Sequence, residues 1–201
     1  YPDIVKPCLQ TIGPDPSAHR IVGLYMMTVN GQLMFIADAT INIYPDSRTL
    51  AEIAVQTARV ARRFGVKPKV AMLSFSNFGT SGELRTDRIE EAISMARELD
   101  NDLIIDGPMQ ADTALVPDRQ KEFPFMEFEG SANVLVCPNL ASANIAYKLL
   151  QRIAGAEMTG PILEGLAKPA HVLQRGDSVR QVVHMAAITA VDAQRHAQQR
   201  L

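Results

Sequence analysis

Short apolar, β-prone runs alternate along this chain with amphipathic stretches long enough for helices, and that alternation limits the fold more than any other feature. Strand-like runs fall at residues 20–28, 32–37, 69–75, 103–105 and 133–136, and helical patterns at about 46–64, 86–99, 141–153 and 178–199. In the first helical stretch Leu50, Ile53, Ala54, Thr57, Val60, Ala61 and Phe64 share one face, Asp46 or Ser47 can cap its start, and Gly65 can end it. Asn30-Gly31 between the first two runs is a strong two-residue hairpin signal, and predicts an antiparallel element at one edge of the sheet. Strands separated by helices of this length predict an α/β fold with a mostly parallel sheet sandwiched by helices. Ligands of such sheets gather at the carboxyl ends of the strands.

With 201 residues the chain can bury one α/β domain, or one domain and part of a second. A net charge of −2 gives no bulk basic field for nucleic acid or anionic membrane, so neither is expected as a partner. No apolar run approaches the roughly 18 residues of a membrane span. Cys8 and Cys137 make no disulfide framework; they fit a reducing, cytoplasmic setting and buried, inert positions. The chain opens at Tyr1 rather than Met, which leads us to expect a piece of a longer polypeptide.

Three loops carry candidate chemistry. Ser74-Phe75-Ser76-Asn77-Phe78-Gly79-Thr80-Ser81-Gly82 offers hydroxyls, an amide and glycines to a ligand; the alternative is a polar strand-to-helix connection. Asp106 and Asp112 bracket a turn-like Gly107-Pro108, and serve either acid–base chemistry or the bend itself. The four histidines lack metal-ligand spacing, and no metal site is expected. In Lys168-Pro169-Ala170-His171-Val172-Leu173-Gln174-Arg175-Gly176-Asp177-Ser178, a guanidinium and a glycine precede a residue able to cap the last helix. That pattern suits an anion, although an arginine near a helix start is equally at home in a structural role. Lys6, before Pro7, is a single cation at a proline-restricted turn.

These segments together resemble the phosphotransacetylase family over nearly the whole chain. The resemblance rests on Val70-Ala71-Met72-Leu73-Ser74-Phe75-Ser76, Ile105-Asp106-Gly107-Pro108-Met109-Gln110-Ala111-Asp112, Asn133-Val134-Leu135-Val136-Cys137-Pro138-Asn139 and Ala143-Asn144-Ile145-Ala146-Tyr147. The family pattern K-P-V-N-D-L-S-R-G-C-S-x-x-D matches the stretch from Lys168, with Gln174 at its serine, Arg175 at its arginine and Gln181 at its closing aspartate. The resemblance implies a fold of two α/β subdomains: residues 17–161 form the second, and 1–16 with 162–201 belong to the first. It implies an acyl-coenzyme A site held by Lys6, Ser74, Ser76, Asn77, His171, Gln174 and Arg175, with pairing of copies through the second subdomain as a homo-oligomer.

Further likeness in Ser74–Gly79, Tyr147-Lys148-Leu149-Leu150-Gln151-Arg152, His171–Gly176 and Val191-Asp192-Ala193-Gln194 resembles the tails of bacterial multidomain NADP-dependent malic enzymes. That resemblance implies a non-catalytic, acetyl-coenzyme A-responsive regulatory domain, since a glutamine at 174 and 181 supplies neither the family serine nor a base. The malic domain, NADP and Mg or Mn then belong upstream. Two alternatives stand beside it: an active phosphate acetyltransferase with its base moved to Asp106, Asp112 or His171, and a purely structural oligomerisation module.

Overall fold

The computed structural model describes residues 2–79 and 87–198. The expected loop residues Thr80, Ser81 and Gly82, the helix start at Thr86 and the helix end at Gln199 lie outside the described residues. In chain order the elements are α1 (Pro2–Thr11), β1 (Val22–Val29), β2 (Gln32–Ala37), α2 (Ser47–Arg63), β3 (Lys69–Leu73) and α3 (Asp87–Leu99). There follow β4 (Ile104–Met109), α4 (Ala111–Leu115), α5 (Pro117–Gln120), β5 (Val134–Val136), α6 (Leu140–Ile153), β6 (Glu157–Glu164) and α7 (Val179–Gln198).

The strands form one sheet in the order β4-β3-β5-β2-β1-β6. The pairs β3–β4, β3–β5 and β2–β5 are parallel, and β1 is antiparallel to both β2 and β6. Asn30 (φ 49°) and Gly31 (φ 76°) both take the left-handed conformation that the tight hairpin turn demands. The hairpin is not at an edge, as its sequence alone suggests: β6 pairs along its outer side, so β1 is interior. Asp46 caps α2 by accepting from the Thr49 N–H at 2.8 Å, and Gly65 (φ 75°) follows the helix end.

Two strand segments escape sequence reading for one reason. β4 runs on through Gly107-Pro108 and β6 through Gly160-Pro161, both of which look like breaks. Each pair lies where the register shifts, on the two outermost strands of the sheet, and there a residue without an N–H loses no ladder bond. The glycines are needed for close approach: a Cβ on Gly107 would sit 2.6 Å from the Met72 carbonyl, and one on Gly160 2.9 Å from the Leu24 carbonyl. Asp106 is therefore within a strand, not in a loop. At the other end of the chain, Lys6 lies on an exposed turn of α1, with Pro7 inside that helix rather than ending it.

Alternation along the strands sends side chains to two faces. Val22, Leu24, Phe35, Val70, Met72 and Val134 meet α2, α3 and α7 through Leu50, Ile53, Ile89 and Met185. Tyr25, Met27, Ile36, Ala71 and Leu135 meet α6 and the 114–132 segment through Tyr147, Ala143 and Phe128. Both faces are thus covered, which is what a largely parallel sheet requires. A third, smaller apolar group joins α1 to the end of β6 and the stretch after it: Val5, Ile21, Leu163, Leu166 and Val172.

Candidate acyl-transfer site

The turn into α7 is built by its own polar side chains. The Gln174 N–H donates to the Asp177 carboxylate at 2.7 Å, Gly176 supplies a positive φ of 91°, and Ser178 caps the helix. Ser178 Oγ accepts from the Gln181 N–H at 3.3 Å while Gln181 Oε1 accepts from the Ser178 N–H at 2.8 Å, a reciprocal capping box. The far end of the same amide donates to the Met158 carbonyl at 3.0 Å and ties α7 to β6. Gln181 is thus a structural residue with both ends occupied. Gln174 donates to the Tyr25 hydroxyl, and Tyr25 stacks on Tyr147 of α6 with ring centroids 4.3 Å apart. Arg175 is exposed and makes no hydrogen bond or ion pair among the described residues, so its guanidinium is free to hold an anion beside the start of α7.

His171 is spent differently. Its Nδ1 accepts from the Leu163 N–H at 3.1 Å, which places the proton on Nε2 and makes the 3.1 Å contact to Asp192 a donation. Neither ring nitrogen is left for a ligand, and His171 acts as a rivet between β6, the 170–178 turn and α7. Asp192 also lies 3.6 Å from Arg63 Nε, and Arg63 pairs with Glu164. Burial pushes Asp192 up, but the His171 hydrogen bond and the Arg63 charge outweigh it and hold the carboxyl below its usual range. Burial wins at Glu164, which ends above the usual range despite Arg63, with the Asp192 charge adding to the push.

The loop after β3 opens on a different space. Ser74 lines a cavity of about 840 Å³ with Tyr44, Phe75, Arg88, Cys137 and Ser142, at the carboxyl ends of β3 and β5 where a parallel sheet takes its ligands. Tyr44, Arg88 and Ser142 go unnoticed in the sequence; the only signal for them is the rule that sites gather at those strand ends. Burial pushes the Cys137 thiol up to about 12, so it lines the space as an apolar group and not as a nucleophile. Asn77 is tied to Gln110, accepting from its N–H at 2.8 Å, and Ser76 Oγ is buried without a partner.

The expected site residues are therefore not one cluster. Ser74 sits at β3 and Gln174 over β1, three strands away, or roughly 14 Å at about 4.8 Å per strand. They share a face, however. Ala146 and Ser142 of α6 line the wide cavity, and the next residue, Tyr147, carries the stack that leads to Gln174. Lys6 is carried on α1 by the third apolar group. The carboxylates considered as moved bases are engaged: Asp106 accepts from the Gly107 and Glu127 N–H groups at 2.8 Å each, and Asp112 accepts from Thr113 at 3.0 Å and lies 3.7 Å from Arg119. No group of three or more His, Cys, Asp or Glu able to hold a metal occurs among the described residues.

An α/β sheet with this order and an arginine poised before its last helix has known counterparts. The chain belongs to the family described as Phosphate acetyl/butaryl transferase, whose profile matches residues 1–190. It is 41% identical over 192 residues to the phosphate acetyltransferase of Bacillus subtilis (strain 168), covering 95% of this chain and 59% of that protein. Its structure is similar to a phosphotransacetylase from Streptococcus pyogenes (TM-score 0.90, 41% identity, 96% of this chain and 59% of that one). It is also similar to the EutD phosphotransacetylase from Staphylococcus aureus (TM-score 0.88, 40% identity, 94% and 59%). The chain thus spans about three-fifths of the relatives it matches.

These relatives correct the malic-enzyme expectation. They are named for phosphate acetyl transfer, so a non-catalytic regulatory domain and a malic domain as partner have no support. The physical reason lies in the segments that suggested it. Tyr147 is half of a ring stack, Val172 is core, and Asp192 pairs with Arg63 and His171, so these residues report the scaffold and not its parentage. No helix among the described residues is long and apolar enough to cross a membrane.

Proposed function

We propose that the protein to which this chain belongs is a phosphate acetyltransferase, moving acetyl between coenzyme A and phosphate. The observation that carries it is the close likeness, near 40% identity over about 95% of the chain, to phosphate acetyltransferases and phosphotransacetylases alike. In this reading Arg175 holds the phosphate end, and coenzyme A lies along α6 from the wide cavity beside Ser74 to the Gln174 turn. Coenzyme A is long and jointed enough to span those three strands, and the exposed rings of Tyr44 and Phe75 suit its apolar and aromatic parts. Residues 17–161 act as the second subdomain, and 1–16 with 162–201 as parts of the first; the apolar group of Val5, Ile21, Leu163, Leu166 and Val172 joins the two. Two free cysteines suit a cytoplasmic setting.

The chemistry is a single displacement. The thiolate of coenzyme A attacks the acetyl carbonyl of acetyl phosphate, the carbon–sulfur bond forms, the carbon–oxygen bond to phosphate breaks, and the thiol proton ends on the released phosphate. Arg175 and the start of α7 stabilise negative charge as it moves onto phosphate. Gln174 orients the turn through Tyr25. Because Gln181 has no basicity and is locked in the cap, it does not take the thiol proton. Thioester formation from acetyl phosphate and coenzyme A, followed against pH, tests this. The rate should climb through the ionisation of a free thiol, near about 8.5. Absence of turnover, or a plateau set by a carboxylate or imidazole well below that pH, overturns it.

A further inference from the structure

The cations of this molecule are unevenly spent. At the carboxyl end of β6, α2 and α7 close on a cavity of about 280 Å³ that Arg175 does not line. Its three acids are committed: Glu164 and Asp192 to Arg63, Asp192 also to His171, and Asp15 to the Ser17 N–H and hydroxyl at 2.8 and 2.7 Å. Its other cations are not. Arg59 and Lys168 are exposed and make no hydrogen bond or ion pair among the described residues, and the hydrogen bond of Arg195 is to the Arg63 carbonyl at 3.2 Å. Beneath them lies Gln56, only 5% exposed. Its Nε2 faces two acceptors, the Arg20 carbonyl at 3.0 Å and the Glu52 carboxylate at 3.1 Å, which fixes the amide's orientation. Its Oε1 is then a buried acceptor with no donor, and His196 Nε2 on the same wall is also buried and unpartnered.

A buried acceptor left unpaired is costly, and a ligand that brings its own donor to Gln56 Oε1 removes that cost. The three cations ask for negative charge, and Gln56 asks for an O–H. A carboxylate or sulfate meets the first demand and not the second. We propose that this pocket binds hydrogen phosphate, a tetrahedral oxyanion that carries its own hydroxyl: Arg59, Arg195 and Lys168 take the anionic oxygens, and Gln56 Oε1 accepts from the P–OH. The site is separate from the phosphate position at Arg175.

Titration calorimetry at neutral pH with inorganic phosphate tests this on the full chain carrying Arg175→Ala, which removes the transfer site. Saturable binding of phosphate is expected there, with sulfate weaker by about tenfold or more, the worth of one lost hydrogen bond of about 1.4 kcal/mol. The double substitution Arg59→Ala with Lys168→Ala, both at exposed positions, should weaken phosphate by about tenfold or more without moving the unfolding midpoint. Phosphate and sulfate binding alike, no effect of the double substitution, or loss of all phosphate binding with Arg175→Ala alone each overturn the pocket. The last of these leaves the transfer reading standing. Phosphate bound in the Arg175→Ala protein while the unsubstituted protein forms no thioester would do the reverse.

Discussion

The space beyond β3 and β5 and the pocket beyond β6 open from the same sheet but are made of opposite materials. The first is wide, about 840 Å³, and walled by Tyr44, Phe75, Cys137 and small hydroxyls, with Arg88 as its cation among the described residues. The second is about 280 Å³ and walled by Arg59, Arg63, Lys168 and Arg195 around a paired acid core. The wide space suits a long ligand held by contact area, the narrow one a compact anion held by charge and hydrogen-bond direction. Between them stands the Gln174–Arg175 turn, which belongs to neither lining. A free guanidinium there can reach a ligand arriving from the wide side, while the narrow side holds the turn in place through His171 and Asp192.

Substitutions separate these roles. Arg175→Ala should lower the rate of thioester formation by about a hundredfold or more, in line with loss of a transition-state anion contact, while stability changes by under about 0.5 kcal/mol because the exposed side chain makes no hydrogen bond or ion pair among the described residues. Loss of stability together with rate would mean that the turn, and not the guanidinium, is what matters. Arg63→Met should act the other way, costing about 2–3 kcal/mol in urea unfolding by leaving Glu164 and Asp192 facing each other without the guanidinium they share. Glu164 already sits above its ordinary value of 4.5 in the fold, so the folded state takes up its proton first and gains stability as pH falls toward that value. The deficit of Arg63→Met should therefore shrink on acidification; a deficit that grows contradicts the sign.

Smaller effects sharpen the contrast. Gln181→Ala removes the reciprocal cap and the tie to Met158, and should cost about 1–2 kcal/mol of stability. Its rate should stay within about threefold of the parent if Gln181 is purely structural, since a full general base is worth about 100-fold or more. Phe75→Ala, at a ring 54% exposed over the wide space, should raise the KM for coenzyme A by about fivefold, the worth of one stacking contact of about 1 kcal/mol, with kcat and stability unchanged. An unchanged KM would place coenzyme A elsewhere.

The sequence made some of this plain and concealed the rest. Asn30-Gly31 and the Asp46-to-Gly65 helix announce themselves because their signals are local: a turn that needs two positive φ angles, a cap, and a face of period 3.6. β6 and the second half of β4 were concealed by Gly-Pro pairs whose tolerance depends on being outermost at a bulge, which is a property of the assembled sheet. The anion-suited turn at Arg175 was legible, but the occupations of His171, Gln181 and Asp106 were not, because their partners Leu163, Asp192, Met158 and Glu127 lie 8 to 23 residues away. Likeness to malic-enzyme tails misled for a related reason: Tyr147 and Asp192 are spent on contacts inside the scaffold, which carry no information about what the chain is joined to.

Isotope exchange tests the proposed reversible acetyl transfer between coenzyme A and phosphate without relying on net turnover. With labelled inorganic phosphate, unlabelled acetyl phosphate and the protein, label should enter acetyl phosphate only when coenzyme A is present, and Arg175→Ala should suppress the exchange. Label that fails to enter with coenzyme A present, or that enters equally without it, would contradict the account.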